Sequence, residues 1–375
     1  MLVLLSNYKR VENRMGKILM TILLPAIATA QDSSKNNPLS FTGYVEGYYS
    51  YDFNKPTDNN KPGFIYNYNR HNEFNVNLAF IKASYSADRV RGNLAIAAGT
   101  YMNANYSSEP GVLKNIFEAD AGYKLSKNKN LWFDIGIMPS HIGFESAVSK
   151  DCWTLTRSIL ADNTPYFESG AKLTYTTDSG KWLFSGMALN GWQRITRVSG
   201  NSLMSWGTQI QFKPNDKVLI NYSTFFGTDK PDSVRLWRYF HNFYGVFQFS
   251  NVVGLTLGFD IGQEQKSKNN QEKNTWFSPV AIVRITPNDK WAFALRSEYY
   301  DDENGVIIPI AIGTSAHDGF KTAGLSANID FLPVKNVAIR LEGKTLHSKD
   351  KIFIKSNGTT NNNSSITFST AISFL

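Results

Sequence analysis

Val337-Ala338-Ile339-Arg340-Leu341-Glu342-Gly343-Lys344 sets Val337, Ile339 and Leu341 at one series of alternate positions and Arg340, Glu342 and Lys344 at the other. A period of two marks a strand whose successive side chains point to opposite faces. One face here is apolar and the other is ionised in mid-strand. Trp291, Phe293 and Leu295 oppose Arg296 and Glu298 in the same way. An Arg or Lys turned toward lipid at mid-depth costs about 2–4 kcal/mol, so charges of this kind belong against water and the apolar rows against hydrocarbon. A sheet closed on itself around a water-filled interior satisfies both faces and leaves no edge unpaired.

The alternation continues through most of the chain. Phe41–Tyr49 carries Glu46 opposite Val45. Val76, Leu78 and Phe80 alternate with Asn75, Asn77 and Ala79, and Leu94 and Ile96 with Arg91, Asn93, Ala95 and Ala97. Ala119, Ala121, Tyr123 and Leu125 alternate with Glu118, Asp120 and Lys124, while Asp134, Lys172 and Asp260 hold equivalent ionised positions. Counting onward predicts about sixteen strands, near 41–53, 73–85, 90–101, 115–125, 130–138, 168–177, 181–192, 203–213, 217–227, 237–250, 253–265, 275–286, 290–301, 318–330, 335–346 and 364–374. In 275–286 the run Val280-Ala281-Ile282-Val283 gives Arg284 no clear face. Short links with turn chemistry, such as Thr177-Asp178-Ser179-Gly180 and Thr286-Pro287-Asn288-Asp289, alternate with long polar ones at 54–72, 139–166, 266–274, 302–317 and 349–363. Tight periplasmic turns and longer outside loops are the habit of outer-membrane barrels, and the rhythm puts both chain ends on the periplasmic side. An exported β-sandwich or propeller would also alternate. Strands of ten or more residues exceed the usual globular length of about five or six and match the nine to eleven or so that cross a membrane at a tilt. The fold read from the sequence is therefore all-β, a transmembrane antiparallel up-and-down barrel over 41–375.

The first thirty residues fit an exported chain. Lys17, with Arg10 and Arg14 before it, is followed by the apolar run Ile18–Ile27 and the small-x-small triplet Ala28-Thr29-Ala30. Residues 1–30 are expected to be a signal peptide, with 1–14 an upstream extension if Met15 is the working start, and 31–40 a polar linker. The formal charge is +8, and 1–30 hold Lys9, Arg10, Arg14 and Lys17 against Glu12, which leaves +5 after cleavage. That excess is spread out, with no Lys/Arg block, and gives nucleic-acid binding no footing. No run of eighteen apolar residues exists for a spanning helix. Cys152 has no partner, so no internal disulfide staples the fold. Phe 25, Tyr 18 and Trp 8 are more aromatics than a soluble core needs, and suit two interfacial girdles.

Pro139–Tyr166 interrupts the strand rhythm, and a loop of that length inside a compact protein usually carries function or is disordered. It offers His141, Glu145, Lys150, Asp151, Arg157, Asp162 and Glu168. Trp153, Leu155, Ile159 and Leu160 favour folding inward, where their apolar surface leaves water. Inside, its mixed charges would face the charged wall and narrow the passage. Opposed charges in a pore sort solutes by charge and dipole. The candidate pore-lining and selectivity residues are Arg157, Lys172, Arg296, Glu298, Arg340 and Glu342, with Glu145 and Asp151 from the loop.

Several features resemble the OmpL-like outer-membrane β-barrel porins common in Bacteroidetes. They are Gly136-Ile137-Met138-Pro139 with Ile142-Gly143-Phe144-Glu145, Thr156-Arg157-Ser158-Ile159-Leu160 with Pro165 and Gly170, and Asn190-Gly191-Trp192. Arg296–Asp301 with Gly305, and Arg340-Leu341-Glu342 followed by His347, Asp350 and Phe353, are similar too. The resemblance implies an outer-membrane pore passing small hydrophilic solutes passively, inserted by machinery that reads the last strand. Such chains commonly finish on an aromatic residue, whereas here Phe374 is penultimate and Leu375 last. A substrate-specific channel for sugars, peptides or an anion stays open as an alternative, as does a homo-oligomer. A barrel enzyme has less to support it. His71, His141, His241, His317 and His347 are scattered without H-E-x-x-H, and no G-x-S-x-G elbow occurs. Asp301-Asp302-Glu303-Asn304-Gly305 lacks calcium-loop spacing. No catalytic residue, cofactor or metal is assigned.

Overall fold

The structure, a computed structural model, describes residues 37–309 and 319–374. The leader expected over 1–30 and most of the linker lie outside the described residues. The strands are β1 (Leu39–Asp52), β2 (Phe74–Ser86), β3 (Val90–Ala98), β4 (Ile116–Lys124), β5 (Asn130–Pro139), β6 (Phe167–Thr176), β7 (Trp182–Leu189), β8 (Ser205–Asn215) and β9 (Val218–Gly227). They continue as β10 (Arg238–Gln248), β11 (Val253–Gln265), β12 (Lys273–Asn288), β13 (Trp291–Asp302), β14 (Phe320–Phe331), β15 (Val337–Ser348), β16 (Phe353–Lys355), β17 (Gly358–Thr360) and β18 (Asn362–Phe374). All but β16 and β17 pair antiparallel with their neighbours in one closed barrel, and β18 meets β1 from Phe374↔Gly43 to Ser365↔Asp52. β16 and β17 form a separate hairpin within the last long link.

The two faces sort as alternation requires. Leu295 and Ile81 are 62% and 66% exposed on the outside, whereas Arg296 and Glu342 inside are each 1% exposed. Aromatic side chains gather at both ends of the outward belt. Trp182 stacks on Phe212 at 4.2 Å beside the short turns, and Phe226 on Trp237 at 4.8 Å beside the long loops. Indole and phenol rings suit that position because the body is apolar and the tip polar.

Three local departures from the sequence reading have physical causes. Val76, Leu78 and Phe80 do not share a face. The register slips at Glu46/Gly47, leaving Asn77 as an extra residue, so Val76 points outward while Leu78 is buried inside and Phe80 stacks on Tyr44 at 5.6 Å. The third strand stops at Ala98, short of 101. Gly99 has φ +137°, where a Cβ would lie 2.3 Å from the Asn77 carbonyl oxygen, and the chain turns there into α1 (Thr100–Asn105). In β12, Val280 and Ile282 face inward with Arg284, and Val283 and Ile285 outward. An apolar inward row is stable there because side chains of the 139–166 loop cover it.

Candidate functional site

The long loop enters the barrel and is fixed at its first residues. His141 places Nδ1 2.8 Å from the Glu168 carboxylate and Nε2 2.8 Å from the Thr224 carbonyl oxygen. Burial lowers the imidazole pKa, but Glu168 and the carbonyl outweigh it and the net shift is upward. The His141 carbonyl accepts from Ser223 Oγ at 2.7 Å and Gln209 Nε2 at 3.1 Å. Beyond it, inward positions that lack side chains receive loop rings. A Cβ on Gly207 would lie 2.7 Å from the His141 ring, one on Gly258 2.3 Å from Phe144, and one on Gly254 2.7 Å from Trp153. These glycines form recesses shaped to the loop. Phe144 and Trp153 pack there on Leu219, Tyr244 and Val246 from β9 and β10, and with Leu160 and Ala161 on Val280, Ile282 and Ala294.

The middle of the loop is strapped to β13–β15 by ions. Arg296 donates to the Thr156 carbonyl at 2.7 Å and to Thr154 Oγ1 and Thr156 Oγ1 at 2.9 Å each. Its guanidinium lies 2.9 Å from Glu342, 3.5 Å from Glu298 and 3.8 Å from Glu145. Glu342 accepts from Thr156 Oγ1 at 2.7 Å, and Glu298 accepts from the Ile159 N–H at 2.6 Å. Lys344 bridges Glu298 at 2.9 Å and donates to the Arg157 carbonyl at 3.0 Å. Arg157 turns back on its own loop, donating to the carbonyls of Ser146, Ala147 and Leu155. Ser158 caps the short helix α2 (Ile159–Asp162) and gives its N–H to Glu145 at 3.0 Å. Every wall charge here reaches a loop backbone or hydroxyl group, so desolvation of the ions is offset by bonds that exist only with the loop in place.

A second anchorage lies toward the other edge. Arg340 holds Asp330 in a fork at 2.6 and 3.0 Å, and donates to the carbonyls of Cys152, at 3.1 Å, and Ser149. Ser149 Oγ donates to Glu46 and lies 3.1 Å from the Tyr44 hydroxyl, both on β1, while Lys150 reaches Ser373 Oγ on β18. Asp162 accepts from Asn67 at 2.8 Å, and burial pushes its carboxyl up to about 6. Burial likewise pushes the Cys152 thiol up to about 11 and the Lys61 ammonium down to about 8.

Of the eight candidate residues, Arg157, Arg296, Glu298, Arg340, Glu342 and Glu145 come together between loop and wall, none more than 8% exposed. Lys172 is half-buried on β6 opposite Asp134, and Asp151 is exposed. Sequence reading did not single out Asp330, Asn328, Ser149 or Thr154, and gave Thr156 only as part of a motif, with no role. Asp330 and Asn328 share the inward period of β14 and could have been found by it; the hydroxyl residues carry no comparable signal. The wall of β2–β6 keeps more water-facing charge. Lys82 pairs with Glu118 and Arg91 with Asp134, each at 2.6 Å, and the cations are 24% and 27% exposed against 8% and 4% for their partners. Among the described residues no cluster of three or more His, Cys, Asp or Glu is placed to hold a metal.

A closed barrel with an apolar outer belt, ionised inner wall and a loop docked inside defines a porin-type channel of the outer membrane. Residues 38–374 match the model of the family described as "beta-barrel porin-2, OmpL-like", and the chain belongs to that family. Among solved structures it is similar to an anion-selective porin from Comamonas acidovorans, at 9% identity over 90% of this chain and 99% of that one, TM-score 0.58. OmpT of Vibrio cholerae is similar at 9% identity over 91% and 99%, TM-score 0.57. The outer-membrane channel DcaP of Acinetobacter baumannii is similar at 12% identity over 90% and 97%, TM-score 0.56. At such identity the likeness is one of fold. No curated protein shows a significant sequence match.

Proposed function

We propose that this porin passes small hydrophilic solutes passively through the space left beside the docked loop, along the β2–β6 wall. The observation that carries the reading is the double seating of the loop, in glycine recesses on one side and in the Arg296–Glu342 and Arg340–Asp330 groups on the other. On this reading Lys172 and Asp151 line the passage and help set ion selectivity. Arg157, Arg296, Glu298, Arg340, Glu342 and Glu145 set its width by holding the loop. Residues 1–30 direct export, 31–40 link to the barrel, and the last strand is read by the insertion machinery. The chain acts as a channel and not as an enzyme, without cofactor, and contacts outer-membrane lipid. A homo-oligomer accords with the reading, and a trimer form is described for OmpT of Vibrio cholerae.

Preference for anions is a second reading, favoured by Lys82 and Arg91 being the water-facing members of their pairs. Planar-bilayer recording tests both. Wild type should give a steady conductance, and Lys172→Glu should move the reversal potential in a salt gradient toward cation preference. A Lys172→Glu reversal potential equal to wild type would remove Lys172 from the passage, and absence of conductance would remove the channel.

A further inference from the structure

The outward belt is not uniformly filled. Between β5 and β8, on the half nearer the short turns, lies a groove of about 420 Å³ lined by Leu131, Leu173, Tyr175, Phe184, Thr208 and Ile210. Its centre is Gly186, paired with Leu173 on one side and Thr208 on the other. A Cβ built there would meet nothing within 4 Å. The gap is therefore open space on the lipid face, since nothing presses against that backbone from outside. Leu173, Phe184 and Ile210 rise on its flanks, each about two-fifths exposed. Away from the short turns the groove opens onto the apolar belt, and hydrocarbon is the solvent there.

The end of the groove is chemically different. Three turns close these strands below it, and each carries an exposed lysine: Lys127 before β5, Lys181 between β6 and β7, and Lys217 after β8. None of the three has an ion-pair partner among the described residues, whereas nearby Lys129 and Lys213 are paired with Asp178 and Asp216. The ring of Trp182, stacked on Phe212, marks the interface between groove and lysines. An apolar slot ending at unpaired cations at headgroup level has the polarity of one amphiphile with an anionic head.

We propose that this groove binds a single anionic glycerophospholipid of the periplasmic leaflet, with one acyl chain over Gly186 and its phosphate at Lys181, on the turn into the same strand, while Lys127 and Lys217 on the flanking turns add to the positive potential. The site faces away from the lumen, so filling it leaves conduction untouched.

Native mass spectrometry of the detergent-purified chain, offered dipalmitoyl phosphatidylglycerol or dipalmitoyl phosphatidylcholine, tests the assignment. Wild type should retain one phosphatidylglycerol per chain, at least tenfold in preference to phosphatidylcholine. Gly186→Phe, which fills the slot, should lower retention at least tenfold with bilayer conductance and heat-modifiable migration unchanged. Thr208→Phe supplies the same obstruction from β8 if the first variant does not fold. The triple change Lys127→Gln, Lys181→Gln and Lys217→Gln should abolish the headgroup preference. Equal retention of the two lipids by wild type, or full retention by a folded slot-filling variant, would overturn the proposal. So would a change in oligomeric state on filling the slot with lipid count unaltered, because a second copy would then be the occupant.

Discussion

Replacing Arg296 by Gln should free the 139–166 loop. The guanidinium is fully enclosed, faces Glu342, Glu298 and Glu145 within 3.8 Å, and makes three hydrogen bonds to Thr154 and Thr156. Gln keeps some donor capacity but no charge, leaving three carboxylates near Lys344 and Arg157. Breaking a buried pair by removing one partner costs about 3–5 kcal/mol. The lower figure, about 3 kcal/mol, lowers the docking constant roughly a hundredfold at about 1.4 kcal/mol per decade. Releasing the loop lets its ionised partners rehydrate, so the loss falls on docking before it falls on the barrel ladder. In planar bilayers the variant should show larger and noisier unitary current. Cys152, 3% exposed, offers an independent readout. It should resist maleimide in the native barrel and react in the variant, because thiolate chemistry needs access. The double variant Arg296→Gln/Glu342→Gln should lose less than the two single changes summed, by more than about 1 kcal/mol. A variant current identical to wild type, with Cys152 still protected and the barrel intact, would refute the reasoning.

Acidity should act on the same loop. Asp162 has its pKa pushed up to about 6 from 3.8, so its buried charge opposes docking at pH 7. The opposition should fade as pH falls through 6, and be gone below about 3.8, and Asp162→Asn should remove this dependence from Cys152 labelling between pH 7 and 5. The groups facing Asp162 include Asn67, Tyr166, Lys344, Arg157 and Glu145. His141 contributes in the opposite range: with a raised pKa its pairing stabilises fully below 6.5 and is lost as pH rises through the folded value. Gly258→Val would set a Cβ 2.3 Å from Phe144 and should cost about 1–3 kcal/mol of loop docking, seen as raised conductance with unchanged circular dichroism. Leu295→Arg puts charge on the lipid face and should lower folding stability in vesicles by about 2–4 kcal/mol, with Cys152 still protected once folded.

The barrel was legible because lipid outside and ions inside impose a period of two that local sequence cannot hide. Trp291, Phe293 and Leu295 against Arg296 and Glu298 state it outright. The reading weakened wherever the interior is not water. Val280 and Ile282 face inward because Leu160 and Ala161 cover them, and no local window holds that information. The inward course of the loop was readable from Trp153, Leu155, Ile159 and Leu160, since those groups needed cover. Its seat was not. Gly207, Gly254 and Gly258 look like weak strand positions until register sets them opposite the rings they receive. Alternation assigns Arg296 and Arg340 to the water column, where Gln substitutions would shift selectivity toward cations. Their enclosure under the loop moves the expected effect to the width of the passage.

The loop's grip on β1, β15 and β18 has a bearing on assembly. Those strands include the barrel's first and last, whose pairing is the most distant in sequence and completes the cylinder. Ser149 touches Glu46 on one flank of the join and Arg340 on the other, and Lys150 reaches Ser373 between them. The segment docked inside the barrel thus acts as an internal rivet across that joint, and these bonds can all form together only when the cylinder is shut. An unfinished barrel would lack both halves of this seat at once, so the joint and the loop would lock each other.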